Sequence, residues 1–340
     1  MRLGVAAALV GAELVPGDVE VVDGVVTAVG VGAPRGSKIA APGFVDLQVN
    51  GYAGVDFSAP GEDGYGRAGA ALLADGVTAF QPTVVSAELD AMVESLRRIE
   101  EVAAGTAADP GPQVIGAHLE GPFLSPRRPG AHDPAALRSP DLAELDRLLA
   151  VGPVTQVTLA PELPGALELI DSLVARGVTV SCGHTEADAA AAHAAFDRGA
   201  TAVTHLFNAM RRPEPRDPGI AFAALGRDDV FITLIADGRH LADDTVRTAA
   251  RAAGERLVLI TDAVAAAAAT DGDYTLAGAV PIHSKGGEVR DAAGALAGST
   301  LSMLAAVRNL HALGVPLAAA LRAATEAPAR MARRPDLGRL

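Results

Sequence analysis

Three residues, Glu120 in "HLEGPF", His184 in "CGHT" and His205 in "THLFNAM", are of types that hold transition metals. One carboxylate and two imidazoles leave a fourth coordination position open, an arrangement that suits catalytic Zn²⁺ or Fe²⁺. A cation held this way lowers the pKa of water and polarises a carbonyl. Any one of these side chains alone would read as a cap or a core group bonded to backbone. All three end apolar runs, and together they read as a metal set. Asp262 in "LITDAV" ends another run. It could carry a proton from water to a leaving group, or cap the following helix. The loop "NAMRRPEPRDPG" brings Arg211, Arg212 and Arg216 to the same rim, and guanidinium groups clamp phosphate or carboxylate well. His132 in "PGAHDP" and His240 in "ADGRHL" could each hydrogen-bond a substrate there.

Other polar residues say less. In "APGFVDLQVNG", Gln48 and Asn50 lie two apart and share one face of a strand. Amides are poor transition-metal ligands and cannot act as bases. Cys182 shares the face of His184 and reads as a small buried hydrophobe. His118 precedes Glu120 by two and could reach the site or only fill the space beneath it. His193 and His311 fall in helical stretches. The Gly-rich "GGEVRDAAGALAGST" lacks the Gly-Lys-Ser/Thr ending of a phosphate-binding loop.

The elements that must position these residues follow a rhythm. Short Val-rich runs occupy 43–50, 76–83, 113–121, 154–162, 177–185, 200–208, 230–238 and 256–264, with Ala/Leu-rich helical stretches between them. Alternating strands and helices imply parallel βα units. Eight of them predict an α/β fold, a closed (β/α)₈ TIM-type barrel, with an open or nine-stranded sheet as the rival. Active sites of such barrels lie at the C-terminal strand ends. There the sequence places Asp46, Gln48, Asn50, Gln81, Thr83, Glu120, Glu162, His184, His205, Asp237 and Asp262. Ahead of the barrel, "VEVVDGVVTAVG" reads as a hairpin turning at Asp-Gly, within a small β unit ending near Ala40.

The 340 residues suffice for one large barrel, and with 49% hydrophobic but only 3% aromatic residues its core must be Ala, Val and Leu. A net charge of −13 argues against nucleic acid as a partner. The single cysteine rules out an intrachain disulfide and fits a reducing cytoplasm. The apolar patch at the N-terminus is too short for a membrane span and reads as a first strand rather than a signal peptide.

The stretches "PGFVDLQVNG", "GAHLEGPFLSPRRPGAHDP", "GHTEAD", "VTHLFNAM", "ADGRHL", "LITDA" and "LAGSTLSM" resemble, in order, the N-acetylglucosamine-6-phosphate deacetylases of the amidohydrolase superfamily. The resemblance implies Glu120, His184 and His205 as metal ligands and Asp262 as acid/base. It implies that His132 polarises the acetyl carbonyl. Ala131, Asn208, Ala209, Asp237, His240 and Leu296–Ala297–Gly298 would contact the substrate, with Arg216 reaching a neighbouring subunit's phosphate. Most amidohydrolases hold a second metal with His-x-His at the first strand end. Some members of this family carry Gln-x-Asn there, as Gln48 and Asn50 do, so one divalent metal per chain is expected. Zn²⁺ comes first, with Fe²⁺, Co²⁺ or Mn²⁺ as other occupants, and Gln48 and Asn50 would order water or substrate.

The implied reaction removes the acetyl group of N-acetyl-D-glucosamine 6-phosphate, using metal-activated water, in amino-sugar catabolism and cell-wall sugar recycling. The resemblance also implies a cytoplasmic homodimer without membrane contacts. It divides the chain into a β unit (1–40), a barrel (41–330) and the start of a return to the β unit (331–340). Two alternatives stay open: an amidohydrolase for another N-acyl sugar or a cyclic amide, and a catalytically dead sugar-phosphate-binding barrel.

Overall fold

The computed structural model describes residues 1–34, 36–59, 64–105 and 111–340. Eight parallel strands form its centre: β1 (Phe44–Val49), β2 (Val77–Val85), β3 (Ala117–Glu120), β4 (Val154–Leu159), β5 (Thr179–Cys182), β6 (Ala202–Val203), β7 (Phe231–Leu234) and β8 (Leu257–Leu259). Each pairs with the next in order, and Gln113–Val114 adds a short ninth partner to β2. These strands are apolar throughout because both faces are covered, by helices outside and by packed side chains within. The core is Val, Leu and Ala, as the composition requires.

The ring closes between β8 and β1 without a regular ladder. The Asp262 amide donates to the Gln48 carbonyl at 3.0 Å and the Asn50 amide to the Ala263 carbonyl at 2.7 Å. The outer helices have legible starts. Asp141 accepts from the Glu144 amide at 2.9 Å ahead of the helix Leu142–Leu149, whose Leu145 and Leu148 are buried. Asp188 does the same for the Ala191 amide at 2.8 Å ahead of Ala189–Asp197. Such side-chain acceptors satisfy amides that a helix leaves open.

The small N-terminal unit has strands Ala7–Val10, Glu13–Pro16 and Ile39–Ala40 in one sheet, and the expected hairpin, Asp18–Val22 with Val25–Val31. Its two-residue turn has φ of 50° at Asp23 and 79° at Gly24, the left-handed pair that a tight hairpin of this twist demands. Residues 332–340 form turns.

One element was not anticipated. Between β8 and the helix Met303–Ala312, strands Gly272–Leu276, Val280–Lys285 and Glu288–Asp291 make an antiparallel sheet. It packs Leu276, Ile282 and Val289 against Val85, Val264 and Ala297. Asp56 accepts the Gly278 amide at 2.8 Å and Arg239 donates to the Gly286 carbonyl at 2.7 Å, fastening the sheet over the mouth of the barrel. Among the described residues no helix is long and apolar enough to cross a membrane.

Candidate active site

Strand geometry sets the site. Glu120 is the last residue of β3, while His184, His205 and Asp262 follow β5, β6 and β8 by two or three residues. All four therefore reach the C-terminal rim. His184, His205 and Asp262 have φ of 47°, 34° and 49°, a region that side chains other than glycine occupy only when their surroundings hold them. Backbone and hydroxyl contacts supply that hold. The Ser125 amide donates to the His184 carbonyl at 2.9 Å, and the His205 amide donates to Thr233 Oγ1 at 2.7 Å.

His205 Nε2 lies 3.0 Å from both Glu120 Oε1 and His184 Nε2, and His184 Nε2 lies 3.3 Å from the same carboxylate oxygen. His184 Nδ1 donates to the Arg128 carbonyl at 3.0 Å, which leaves Nε2 with its lone pair facing the cluster. Two imidazole nitrogens and a carboxylate oxygen aimed at one point repel unless a proton or a metal cation lies between them. The donor set fits a divalent metal, and it is the one such cluster among the described residues.

Electrostatics agree. Burial pushes His184 down to about 4, so it is neutral at physiological pH. Burial also disfavours charge on His205, but the Glu120 carboxylate more than offsets this and raises its pKa. Burial works against the Glu120 anion too, but the surrounding imidazoles of His132, His184 and His205 hold it well below the usual carboxyl range.

Asp262 faces this cradle. Burial, then the charge of Glu120, raises its carboxyl to about 6. Gln48 Nε2 donates to Glu120 Oε1 at 2.9 Å and to Asp262 Oδ1 at 3.2 Å, and Asn50 Nδ2 donates to the same Asp262 oxygen at 2.7 Å. The amide donors of both residues are thus committed to carboxylates. Two carboxylates buried side by side need donors, and the amides serve them first. Of the amide atoms, Asn50 Oδ1 is left without a partner. His132 Nδ1 accepts the Ser86 amide at 3.3 Å, so its proton sits on Nε2, 3.8 Å from Glu120 Oε2.

Most of the residues singled out from sequence meet in one cavity: Asn50, Glu120, Ala131, His132, His184, His205, Asn208, Ala209, His240, Asp262, Leu296 and Gly298 line it. Four do not. Gln48 lies behind Glu120 and Asp262. Asp237 takes His240 Nδ1 at 2.7 Å and the Arg239 and His240 amides at 2.9 Å, so it aims His240. Ala297 alternates with its neighbours and is buried in the core of the inserted sheet. Arg216 is exposed, outside the cavity wall. Among the described residues no Lys or Arg lines the cavity. Of the other loop arginines, Arg211 is paired with Asp217 and Arg212 is exposed.

Several remaining polar residues are structural. His118 fills the barrel between Thr83 and Thr158, at 3.2 and 2.7 Å. Gln81 donates to Thr155 at 2.8 Å, and Glu162 takes the Thr185 hydroxyl and the Glu186 amide. Sequence reasoning missed Val85, Gly130, Ile235 and Leu276 in the wall and the Ser86 amide behind His132. Apolar wall positions and a backbone amide carry no chemical signature in the sequence.

The barrel with its Glu–His–His cradle and facing Asp defines a metal-dependent hydrolase, and the chain belongs to the Amidohydrolase family, which it matches over residues 39–340. Within that family it belongs with the N-acetylglucosamine-6-phosphate deacetylases. It is 42% identical to the Mus musculus N-acetylglucosamine-6-phosphate deacetylase over 312 residues, covering 87% of this chain and 75% of that protein. It is 41% identical to the Escherichia coli O157:H7 N-acetylgalactosamine-6-phosphate deacetylase over 300 residues, 87% of this chain and 79% of the other. A solved Mycobacterium smegmatis deacetylase variant in complex with N-acetyl-D-glucosamine-6-phosphate superposes with a TM-score of 0.92 at 39% identity, covering 100% of this chain and 92% of that one.

Proposed function

We propose that the protein hydrolyses the N-acetyl group of an N-acetylhexosamine 6-phosphate, foremost N-acetyl-D-glucosamine 6-phosphate, to the free amine and acetate. The observation that carries this is the facing of Asp262 and the Nε2–H of His132 across the Glu120–His184–His205 cradle. A divalent cation held by those three residues, Zn²⁺ foremost, supplies Lewis acidity that activates water and polarises the acetyl carbonyl.

The chain's own groups do the rest. Gln48 and Asn50 occupy Asp262 Oδ1, so Oδ2 receives the proton as water adds to the carbonyl carbon. His132 donates from Nε2 to the oxygen on which charge develops. Asp262 then returns the proton to the nitrogen as the carbon–nitrogen bond breaks. A raised pKa suits it to both transfers. His240, aimed by Asp237, and Asn208 with Ala209 line the sugar-phosphate end. Because no Lys or Arg among the described residues lines that end, Arg216 of a second copy is the phosphate partner we assign, in a homodimer. We place the reaction in the cytoplasm, where the lone thiol stays reduced.

The identity shared with the galactosamine enzyme favours a second reading, in which the 4-epimer is also accepted. Acetate release from both 6-phosphates and from unphosphorylated N-acetylglucosamine tests these assignments. Turnover restricted to the phosphorylated sugars is expected. Equal turnover of the unphosphorylated sugar would indicate a different amidohydrolase, and no turnover by metal-loaded protein would indicate a binding barrel. Asp262→Ala should lose roughly 10²- to 10⁴-fold in kcat with metal retained.

A further inference from the structure

Asp46 is a fully buried carboxylate that lies outside the cavity and does no chemistry in the reaction above. Its contacts all lie at the seam where the barrel closes. Oδ1 accepts the Thr261 amide at 3.2 Å and the Gln48 amide at 3.3 Å, while Oδ2 accepts the Thr261 hydroxyl at 2.6 Å. The same hydroxyl oxygen accepts the Ala263 amide at 3.2 Å. Thr261 thus reaches over Asp262, tied to Asp46 on one side and to the residue after Asp262 on the other.

This matters because of how Asp262 is held. Its φ of 49° is costly for a residue with a side chain, and the seam lacks the strand ladder that fixes the other seven strand ends. A single hydroxyl proton has two acceptors in reach, Asp46 Oδ2 at 2.6 Å and the Gln48 carbonyl at 3.4 Å, and the nearer one takes it. That leaves the Gln48 carbonyl to receive the Asp262 amide at 3.0 Å.

We infer that Asp46 and Thr261 are positioning residues for the reaction: through the Thr261 hydroxyl they fix the turn at Asp262 and so the aim of its carboxylate. The inference rests on Asp262 being the acid/base. Misplacing a reacting group by about 1 Å costs on the order of 10²-fold in rate.

Thr261→Val keeps the shape and removes the hydroxyl. It should lower kcat roughly 10- to 100-fold while KM and bound metal per chain stay at wild-type values. Thr261→Ser, which restores the hydroxyl, should recover kcat to within about threefold of wild type. Asp46→Asn, which keeps one acceptor oxygen, should fall between the two, and it serves if Thr261→Val does not fold. Thr261→Val with unchanged kcat overturns the inference, as does a Thr261→Ser variant as slow as Thr261→Val. A loss in Thr261→Val that follows lost metal or a raised KM also overturns it, since that reports a general disturbance. Asp262→Ala is measured alongside. If it keeps normal turnover, the acid/base reading itself fails; if it is inactive while Thr261→Val is normal, only the positioning role fails.

Discussion

At the scale of single residues, two buried aspartates give opposite pH signatures. Asp262 works as a base when water adds, so kcat/KM should rise with pH through its pKa and then level. Burial and Glu120 put that pKa at about 6 without metal, and a cation in the cradle pulls it lower, so the acidic limb of the loaded enzyme should fall at or below about 6. A limb centred near 8 in the pH profile would assign it to another group. Asp46 acts on stability instead. Burial, only partly offset by its hydrogen bonds, raises it from 3.8 to about 7. The native state therefore holds this proton more tightly than the unfolded chain does, and its contribution is present at low pH and lost as pH rises from about 4 through about 7. The full loss is of order 4 kcal/mol. Asp46→Asn cannot titrate, so the difference in Tm between variant and wild type should move in the variant's favour between pH 5 and pH 8. A pH-independent difference would show that Asp46 is charged throughout.

At the scale of elements, a loop and a sheet control the cavity. Gly130 sits at φ 56° in the loop carrying Ala131 and His132, and a Cβ there would lie 2.8 Å from His184 Cε1. Gly130→Ala should push the His184 ring from its partners, so activity should need more added metal to saturate, with kcat largely recovered at saturation. A metal titration of activity checks this. The inserted sheet contributes Leu276 to the cavity wall, and its Ala277–Gly278 turn is held by Asp56. Asp56→Ala should free the turn and raise KM several-fold with less effect on kcat, measured by steady-state kinetics. These elements also show what a sequence reveals. Val-rich runs ending in Glu, His or Asp announced eight strands and their catalytic ends, because parallel strands buried on both faces must be apolar until they emerge. The inserted sheet went unread because its strands alternate exposed and buried residues, as in Val280–Lys285, and its glycines looked like a loop. That Asp237 turns to His240, that Arg216 lies outside this chain's cavity and that Ala297 points into the inserted sheet could not be read, because side-chain direction depends on turns that the sequence does not spell out.

For the whole molecule, the cradle is a liability as well as a tool. Glu120, His184 and His205 come from three separate strands, and the barrel holds their atoms together at distances that suit a cation and little else. A metal that binds the native state and not the unfolded chain stabilises by an amount that grows with its concentration over Kd, about 4 kcal/mol at a thousandfold excess. Chelation should therefore lower Tm and abolish turnover together, and adding back Zn²⁺ or Co²⁺ should restore both. The stoichiometry should be one per chain. A second cation would need the region between Gln48, Asn50 and Asp262, and there the amide protons already satisfy Asp262 Oδ1, presenting positive edges to any incoming ion. Metal analysis during back-titration, read against Tm and acetate release, should show all three saturating at the first equivalent. A second equivalent that raises activity would mean the amides rotate to expose their oxygens, and Asn50 Oδ1, already unpartnered, is where that rotation would begin.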